Sequence, residues 1–318
     1  SGTTGIPKIL FRSFESWADF FAIQNAVFGV DADSRLFVQG SLAFTGNLNL
    51  YMGQLAAGGT LIAEDVFLPG KWEQVMARER ANGIYLIPSK LLMLPRVFKG
   101  VNANIRTIIS GSQSLGRKDA EVLKKIFPNT EITLYYGASE LNYITYVKSA
   151  DMTEERNLIG KPFPGVRVFI QDDEMYVDNA FHVENITVPY SLKDSGRMDL
   201  QGNFYFLGRT DDIVGVRGRK VSMMKIENAL EEVAGITEAA VVLLPKEKDA
   251  DMPAEIVSAF VTVEGTDVPE NLRQQLKEKL ADFEIPKRVI VLEAFPKNTS
   301  GKVDKARLKK MWIEQEPQ

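Results

Sequence analysis

IRTIISGSQSLGRKDAEVLKKIFPNTEITLYYGASE, Ile105 to Glu140, holds one full repeat of the pattern that organises the first half of the chain. IRTIISG is a short apolar run rich in β-branched residues. The segment from Gly116 to Phe127 spaces its apolar residues as a helix does, and EITLYYG is a second strand-like run. Working outward, RLFVQG (35–40), TLIAE (60–64) and GIYLIP (83–88) read as further strands, with a helical pattern from Lys71 to Asn82 between two of them. Strands alternating with amphipathic helices from Phe14 to about residue 136 predict an α/β fold. Its sheet is mostly parallel and covered by helices on both faces, with ligands gathered at the strand ends. The tail of the quoted stretch, YYGASE, therefore falls where a site belongs.

After Gly137 the pattern changes to short strands around turns, punctuated by KPFPG, Asp172-Asp173 and Gln201-Gly202-Asn203. This predicts a small antiparallel β unit. The large domain is expected over 1–208, α/β over 1–150 and the small β unit over 151–208, with a hinge at 209–212. A compact α+β domain follows over 213–318, in the order helix, strand, strand, helix, strand, helix. Its predicted helix from Glu270 to Phe283 carries Leu272, Leu276, Leu280 and Phe283 on one face, the spacing of a helix packed on a sheet.

Composition narrows the chemistry. The 318 residues are 45% hydrophobic and 25% charged, with a formal net charge of -4, enough to bury a core and hold more than one domain. No Lys/Arg block is long enough to follow a phosphate backbone, which argues against nucleic acid as a partner. No run approaches the roughly 18 apolar residues of a membrane span. The chain has no cysteine, which removes disulfides, thiolate metal sites and a cysteine nucleophile, and suits a cytoplasmic setting. Its one histidine, His182, has no Gly-x-Ser-x-Gly elbow to serve in a hydrolase triad, and reads as a surface loop residue.

Four stretches carry chemistry. SGTTGIPK, Ser1 to Lys8, is a run of glycine and hydroxyl residues closed by lysine. Its backbone N–H groups, the hydroxyls of Ser1, Thr3 and Thr4, and the Lys8 charge can wrap phosphates, although it is not a Walker A loop. In YYGASE, Ser139 can donate to a phosphate oxygen while Glu140 holds Mg²⁺, which prefers oxygen ligands. The third stretch runs from Asp194 through GRTDD (208–212) to Glu227. The fourth is PKNTSGKVD, Pro296 to Asp304, a turn presenting Lys302 before the last helix. Alone, each reads equally as a solvated loop.

In this order and at these separations, the four resemble the adenylate-forming superfamily of acyl-CoA synthetases, aryl-CoA ligases, luciferases and peptide-synthetase adenylation domains, over essentially the whole chain. The acyl-CoA synthetases are the nearest in pattern. The family's phosphate loop matches Ser1–Lys8, its Tyr-Gly-x-Thr/Ser-Glu motif matches Tyr136–Glu140 and its Gly-Arg-x-Asp-Asp motif matches Gly208–Asp212. The resemblance implies ATP, Mg²⁺ and CoA as cofactors and a small-molecule carboxylic acid as substrate, with a carrier protein as the alternative thiol donor.

Residue by residue, the resemblance implies that Ser1, Gly2, Thr3, Thr4, Gly5 and Lys8 bind ATP phosphates, and that Tyr136 and Gly137 also line the ATP site. Ser112, Gln113 and Ser114 stand where the family has Gly-Gly-Ala-Pro-Leu along the adenine. Asp194 and Arg209 match residues that hold the ribose, Asp211 the hinge and Gly218 the glycine of the pantetheine tunnel. Lys220 occupies a position where some relatives contact phosphate. Lys302 matches the lysine that swings in on the acyl carboxylate and α-phosphate, so Lys302, Glu140 and Ser139 form the expected catalytic set. Two anions must approach each other, and Lys8, Lys302, Arg209 and Mg²⁺ offset their repulsion.

Relatives that activate amino acids usually place an aspartate after a phenylalanine in the segment that here reads SLAFTGNLNLYMG, 41–53. Thr45 follows Phe44 in this chain, so the partner for a substrate ammonium is absent and a fatty or aryl acid is favoured. Phe44, Asn47, Tyr51, Tyr135 and Asn142, with Gly137, are the expected acid pocket. ILFRSFESW replaces the usual Gly-Val-x-x-x-His run after the loop and puts Phe14 near the common histidine position. Relatives carry about one further domain ahead of the phosphate loop. Two accounts of that difference stand: a proteolysed or partly ordered full-length enzyme, which is favoured, or a form that binds nucleotide weakly and does not turn over.

Overall fold

The computed structural model describes residues 9–42, 44–216, 218–246, 255–297 and 303–314, with backbone only at Asp211. The described residues divide into two compact units. One runs to Leu192 and includes Gly196–Phe206; the other comprises Lys193–Ser195 and the chain from Leu207 onward.

In the first unit, α1 (Glu15–Phe28), β1 (Arg35–Gln39), α2 (Thr45–Ala56), β2 (Thr60–Glu64), α3 (Pro69–Arg78) and β3 (Gly83–Tyr85) come first. Two single turns follow, α4 (Pro88–Leu91) and α5 (Leu94–Val97), then β4 (Thr107–Gly111), α6 (Arg117–Ile126) and β5 (Glu131–Ala138). Strands β2-β1-β3-β4-β5 pair in parallel in that order. Every strand expected from Arg35 to Gly137 is present. Helix α1 stops where Gly29 takes a left-handed φ of 65°, and Val30 N–H closes onto the Asn25 carbonyl at 2.9 Å. At the start of α6 the Asp119 carboxylate accepts the Gly116 N–H at 2.9 Å, satisfying one free donor of the first turn.

Strand alternation sorts the core. Phe37, Ile84, Ile108 and Leu134 point to one face, where Trp72, Met76, Leu94, Leu123 and Phe127 from α3, α5, α6 and its C-cap bury them. Leu36, Val38, Tyr85, Ile109 and Tyr135 point to the other, against Phe20, Phe28 and Leu50 of α1 and α2.

The antiparallel half holds β6 (Asn142–Lys148), β7 (Leu158–Pro162), β8 (Arg167–Gln171), β9 (Glu174–Asp178), β10 (Tyr190–Met198) and β11 (Phe204–Arg209). It is continuous with the parallel half: β7 pairs with both β6 and β11, giving one eleven-stranded sheet.

The second unit holds a 3₁₀ turn (Thr210–Asp212), the hairpin β12 (Ile213–Val216) and β13 (Arg219–Ser222), and α7 (Met223–Glu231). A three-stranded sheet follows, of β14 (Ile236–Pro245), β15 (Glu255–Val263) and β16 (Arg288–Val291), with α8 (Leu272–Lys277) and α9 (Lys305–Glu314). The Ser222 hydroxyl caps α7 by accepting the Lys225 N–H. Helix α8 is shorter than the stretch from Glu270 to Phe283 read from spacing. Leu272, Leu276 and Leu280 are nonetheless all buried, because the apolar face continues through the turn after Lys277. Among the described residues no helix is long and apolar enough to cross a membrane.

Candidate functional site

Strand β5 ends in a bulge. Tyr136 lies opposite Thr145 and Gly137 opposite Tyr143, so β6 carries Ile144 as an extra residue just before the YYGASE turn. Bulges bend a strand and re-aim the residues beyond them. Gly137 is required at this point, because a Cβ would lie 2.6 Å from the Asn142 carbonyl oxygen. The turn closes with Leu141 N–H on the Ala138 carbonyl at 3.1 Å, and Asn142 takes a left-handed φ of 67°. The Ser139 hydroxyl donates to the Thr45 hydroxyl at 3.0 Å, tying the turn to the first residue of α2. Val183 N–H holds the Glu140 carbonyl at 2.9 Å, and Asn179 donates to the Leu141 carbonyl at 3.0 Å. Ser139 and Glu140 remain half-buried at the carboxyl end of a parallel strand.

Beneath α2 lies a layer of phenols. The Tyr85 and Tyr135 hydroxyls share a hydrogen bond of 2.7 Å with their rings 6° from parallel, and the Tyr143 ring is 4.4 Å from that of Tyr135. Burial pushes the Tyr135 hydroxyl up to about 12, its bond to Tyr85 working the other way; burial also drives Tyr85 and Tyr143 well above the ordinary phenol value. All three are neutral at physiological pH. Two glycines make room for them. A Cβ on Gly46 would sit 2.9 Å from the Tyr135 oxygen, and one on Gly111 would enter the Tyr135 ring at 2.4 Å.

The five residues expected to line the acid pocket separate here. Phe44 is exposed and Tyr51 half-buried, with its hydroxyl raised by that burial. Asn47 is folded back, donating to the Ser41 carbonyl at 2.9 Å. Tyr135 and Asn142 are buried in the core, Asn142 accepting from Asn49 at 2.5 Å and from the Tyr143 N–H at 2.8 Å. Tyr85 escaped the sequence reading. Its one signal was a hydroxyl inside the otherwise apolar run GIYLIP.

Past β4, Ser112 is exposed with a left-handed φ of 71°, and the Gln113 side chain accepts the Ser89 N–H at 3.0 Å. Gln113 therefore pins this segment to α4, with half-buried Ser114 beside it. Lys90 of α4 reaches Gln39 at the end of β1, and burial lowers its pKa. Tyr136 stacks obliquely on Phe206, with ring centres 5.9 Å apart.

In the second unit, Asp194 of β10 and Arg209 at the end of β11 form an ion pair at 3.6 Å, with Asp194 buried. Gly218 has φ 78° in the turn joining β12 and β13, and a Cβ there would meet nothing within 4 Å. Lys220 is exposed on β13. Ser1, Gly2, Thr3, Thr4, Gly5, Lys8 and Lys302 lie outside the described residues, as does the Asp211 side chain.

His182 is partly buried and its Nδ1 lies 2.6 Å from the Val183 carbonyl oxygen, so the ring is a loop contact. Among the described residues no three His, Cys, Asp or Glu side chains cluster as a metal site. One carboxylate with a neighbouring hydroxyl suits Mg²⁺ carried in on a polyphosphate, since that ion keeps its waters and takes few protein ligands.

Known proteins bear directly on this arrangement. Residues 1–180 match the model of the AMP-binding enzyme family, and residues 225–302 that of the AMP-binding enzyme C-terminal domain. An uncharacterized acyl-CoA ligase, YhfT of Bacillus subtilis (strain 168), is 27% identical over 338 residues, covering 100% of this chain and 68% of the relative. A linear gramicidin synthase of Brevibacillus parabrevis is 27% identical over 344 residues, 97% of this chain but 7% of that protein. The structure of O-succinylbenzoate coenzyme A synthetase from Bacillus subtilis, in complex with ATP and magnesium ion, superposes with a TM-score of 0.82 at 20% identity, covering 97% of this chain and 68% of the other.

Proposed function

From the chain's membership of the AMP-binding enzyme family, to which it plainly belongs, we propose that the protein is an ATP-dependent acid–CoA ligase. It activates a fatty or aryl carboxylic acid as its acyl adenylate and passes the acyl group to the CoA thiol. The observation that carries this reading is the Ser139–Glu140 turn: a hydroxyl held by Thr45 and, next in the chain, a carboxylate residue whose main chain is held by Val183, at the carboxyl end of a parallel strand, where an α/β sheet receives phosphates.

A carboxylate oxygen of the acid attacks the α-phosphorus of ATP, and pyrophosphate leaves with its electron pair. Three residues of this chain serve that step. Glu140 would hold the Mg²⁺, which would supply positive charge against the phosphates, while Lys8 binds the phosphate oxygens and Lys302 meets the carboxylate and α-phosphate as they close. Asp194 and Arg209 hold the ribose, the carboxylate accepting from its hydroxyls and the guanidinium contributing positive charge. In the second step the CoA sulfur attacks the acyl carbon, AMP departs and the thiol proton goes to solvent. Asp211 is the pivot between the two steps, and Gly218 leaves passage for the pantetheine arm.

Thr45 supports an acid without an ammonium group. It follows Phe44 and carries no charge, so an amino-acid cation would be desolvated there without a partner. The Tyr85–Tyr135 pair packs beneath Gly46 of α2. The alternative acceptor, the phosphopantetheine of a carrier protein, draws support from the similarity to a linear gramicidin synthase.

The decisive experiment is acid-dependent ATP–pyrophosphate exchange over fatty, aryl and amino acids, followed by thioester formation with CoA. Exchange with a fatty or aryl acid and thioester formation with free CoA are expected. Exchange confined to amino acids would overturn the Thr45 reading, and thioester formation that ignores free CoA would favour a carrier protein. Gly218→Asn sharpens the second step, because asparagine tolerates the left-handed turn that Gly218 occupies and still adds a side chain. Adenylation is expected to persist and thioester formation to fail; equal loss of both would contradict the tunnel assignment.

A further inference from the structure

Arg12 lies in ILFRSFESW, the segment whose role the motifs left unassigned. Its guanidinium reaches across the first unit. One amino group donates to the Phe181 carbonyl at 2.7 Å and, more weakly, to the Ser16 hydroxyl and carbonyl at 3.3 and 3.4 Å. The other donates to the Ser139 carbonyl at 3.1 Å. Burial lowers its pKa to about 10, opposed by the Glu140 carboxylate, so the group stays charged at neutral pH. The Trp17 ring lies 5.7 Å away. The same segments also join by backbone: Glu184 N–H meets the Phe11 carbonyl at 2.8 Å, and Val183 N–H meets that of Glu140 at 2.9 Å.

A half-buried cation is costly unless well partnered. A main-chain bond from Val183, a side-chain bond from Asn179 and the Ser139 hydroxyl's bond to Thr45 already hold the YYGASE turn. What Arg12 adds is a second grip on the peptide that leads into Glu140, and a fixed positive charge beside that carboxylate.

We infer that Arg12 is a positioning residue: it orients the Glu140 carboxylate toward the Mg²⁺ that accompanies ATP, through the Ser139 carbonyl and through its charge. This rests on the metal role proposed for Glu140. Partners that aim a metal-binding carboxylate typically change metal affinity by 10-fold to 100-fold when removed.

The test is binding of a non-hydrolysable ATP analogue titrated with Mn²⁺ and followed by electron paramagnetic resonance, beside the Mg²⁺ dependence of pyrophosphate exchange. Arg12→Gln should raise the metal concentration for half-saturation about 10-fold, leaving the KM for the acid and metal-free nucleotide binding unchanged. Arg12→Lys keeps the charge but loses the two-armed grip, and should show a smaller rise; it carries the test if the glutamine variant folds poorly. A lower melting temperature with an unchanged or reduced metal requirement would overturn the inference and leave Arg12 a structural brace. If Glu140→Gln itself leaves the metal dependence unmoved, it is the metal role of Glu140 that fails, and the inference falls with it.

Discussion

The two faces of the large sheet share the same strands and are built for different ends. On one, Phe37, Ile84, Ile108 and Leu134 meet Trp72, Met76, Leu123 and Phe127, a core of aliphatic and aromatic carbon in which the Trp72 N–H lacks a protein partner. On the other, Tyr85 and Tyr135 meet α1 and α2, and amides are buried with them. Gln24, Asn25, Asn49, Gln54 and Asn142 are all at most 9% exposed. Gln24 Oε1, Asn49 Oδ1, Gln54 Oε1 and Asn142 Nδ2 find no protein hydrogen bond. A buried polar atom left unmatched costs about 1–3 kcal/mol. The amide-rich face accepts that cost, and the Ser139–Glu140 turn and the N-terminus of α2 lie on its side. The contrast teaches that one sheet can bury aliphatic and aromatic carbon on both sides and yet keep its unmatched amides on the side that carries the proposed site.

Mutations can break that division. Trp72→Ala should have the largest effect, a loss of about 3–5 kcal/mol of stability from the aliphatic face, measured by denaturant unfolding. Pyrophosphate exchange by the folded fraction should be unchanged. A large loss of activity per folded molecule would mean the two faces are not separable. Glu140→Gln should do the reverse, lowering exchange about 100-fold with the unfolding midpoint nearly unmoved.

Asn49→Leu removes the donor to Asn142 while the Tyr143 N–H keeps that oxygen satisfied, so a modest loss of about 1–2 kcal/mol is expected. A larger loss would show that the amide layer carries the fold as well. The smallest effect should come from Tyr135→Phe, about 1 kcal/mol at neutral pH. Its pH signature is more telling. Because the folded state raises this phenol from 10.0 to about 12, its stabilising contribution is complete below pH 10 and is lost as pH rises through 12. Unfolding measured from pH 8 to 12 should therefore show a shallower alkaline fall in the phenylalanine variant.

Much of this was legible in the residues. The stretch from Ile105 to Glu140 delivered a strand, a helix and a strand because burial on a sheet forces apolar periodicity, and periodicity survives in a string of letters. The leucines at 272, 276 and 280 reported burial faithfully although the helix ends at Lys277, since spacing records which side is covered and not which carbonyl each N–H finds. The joining of the antiparallel half through β7 left no such trace: edge pairing is a matter of register between strands far apart in sequence.

The site divides in the same way. The residue types at Ser139, Glu140, Asp194 and Arg209 were set by the sequence, and they are the hydroxyl, carboxylate and guanidinium groups that the proposed polyphosphate and Mg²⁺ chemistry calls for, whether they sit in the turn after β5 or, like Asp194 and Arg209, on strands β10 and β11. Tyr85, Gly46 and Arg12 became meaningful only in three dimensions. A tyrosine in an apolar strand, a glycine in a helix and an arginine in an unassigned segment are ordinary until the fold puts one hydroxyl 2.7 Å from another and a guanidinium 3.1 Å from the Ser139 carbonyl. Those contacts span 50 and 127 residues of chain. Packing alone decides such pairings, because hydrogen bonds reach about 3 Å and sequence distance says nothing about that length.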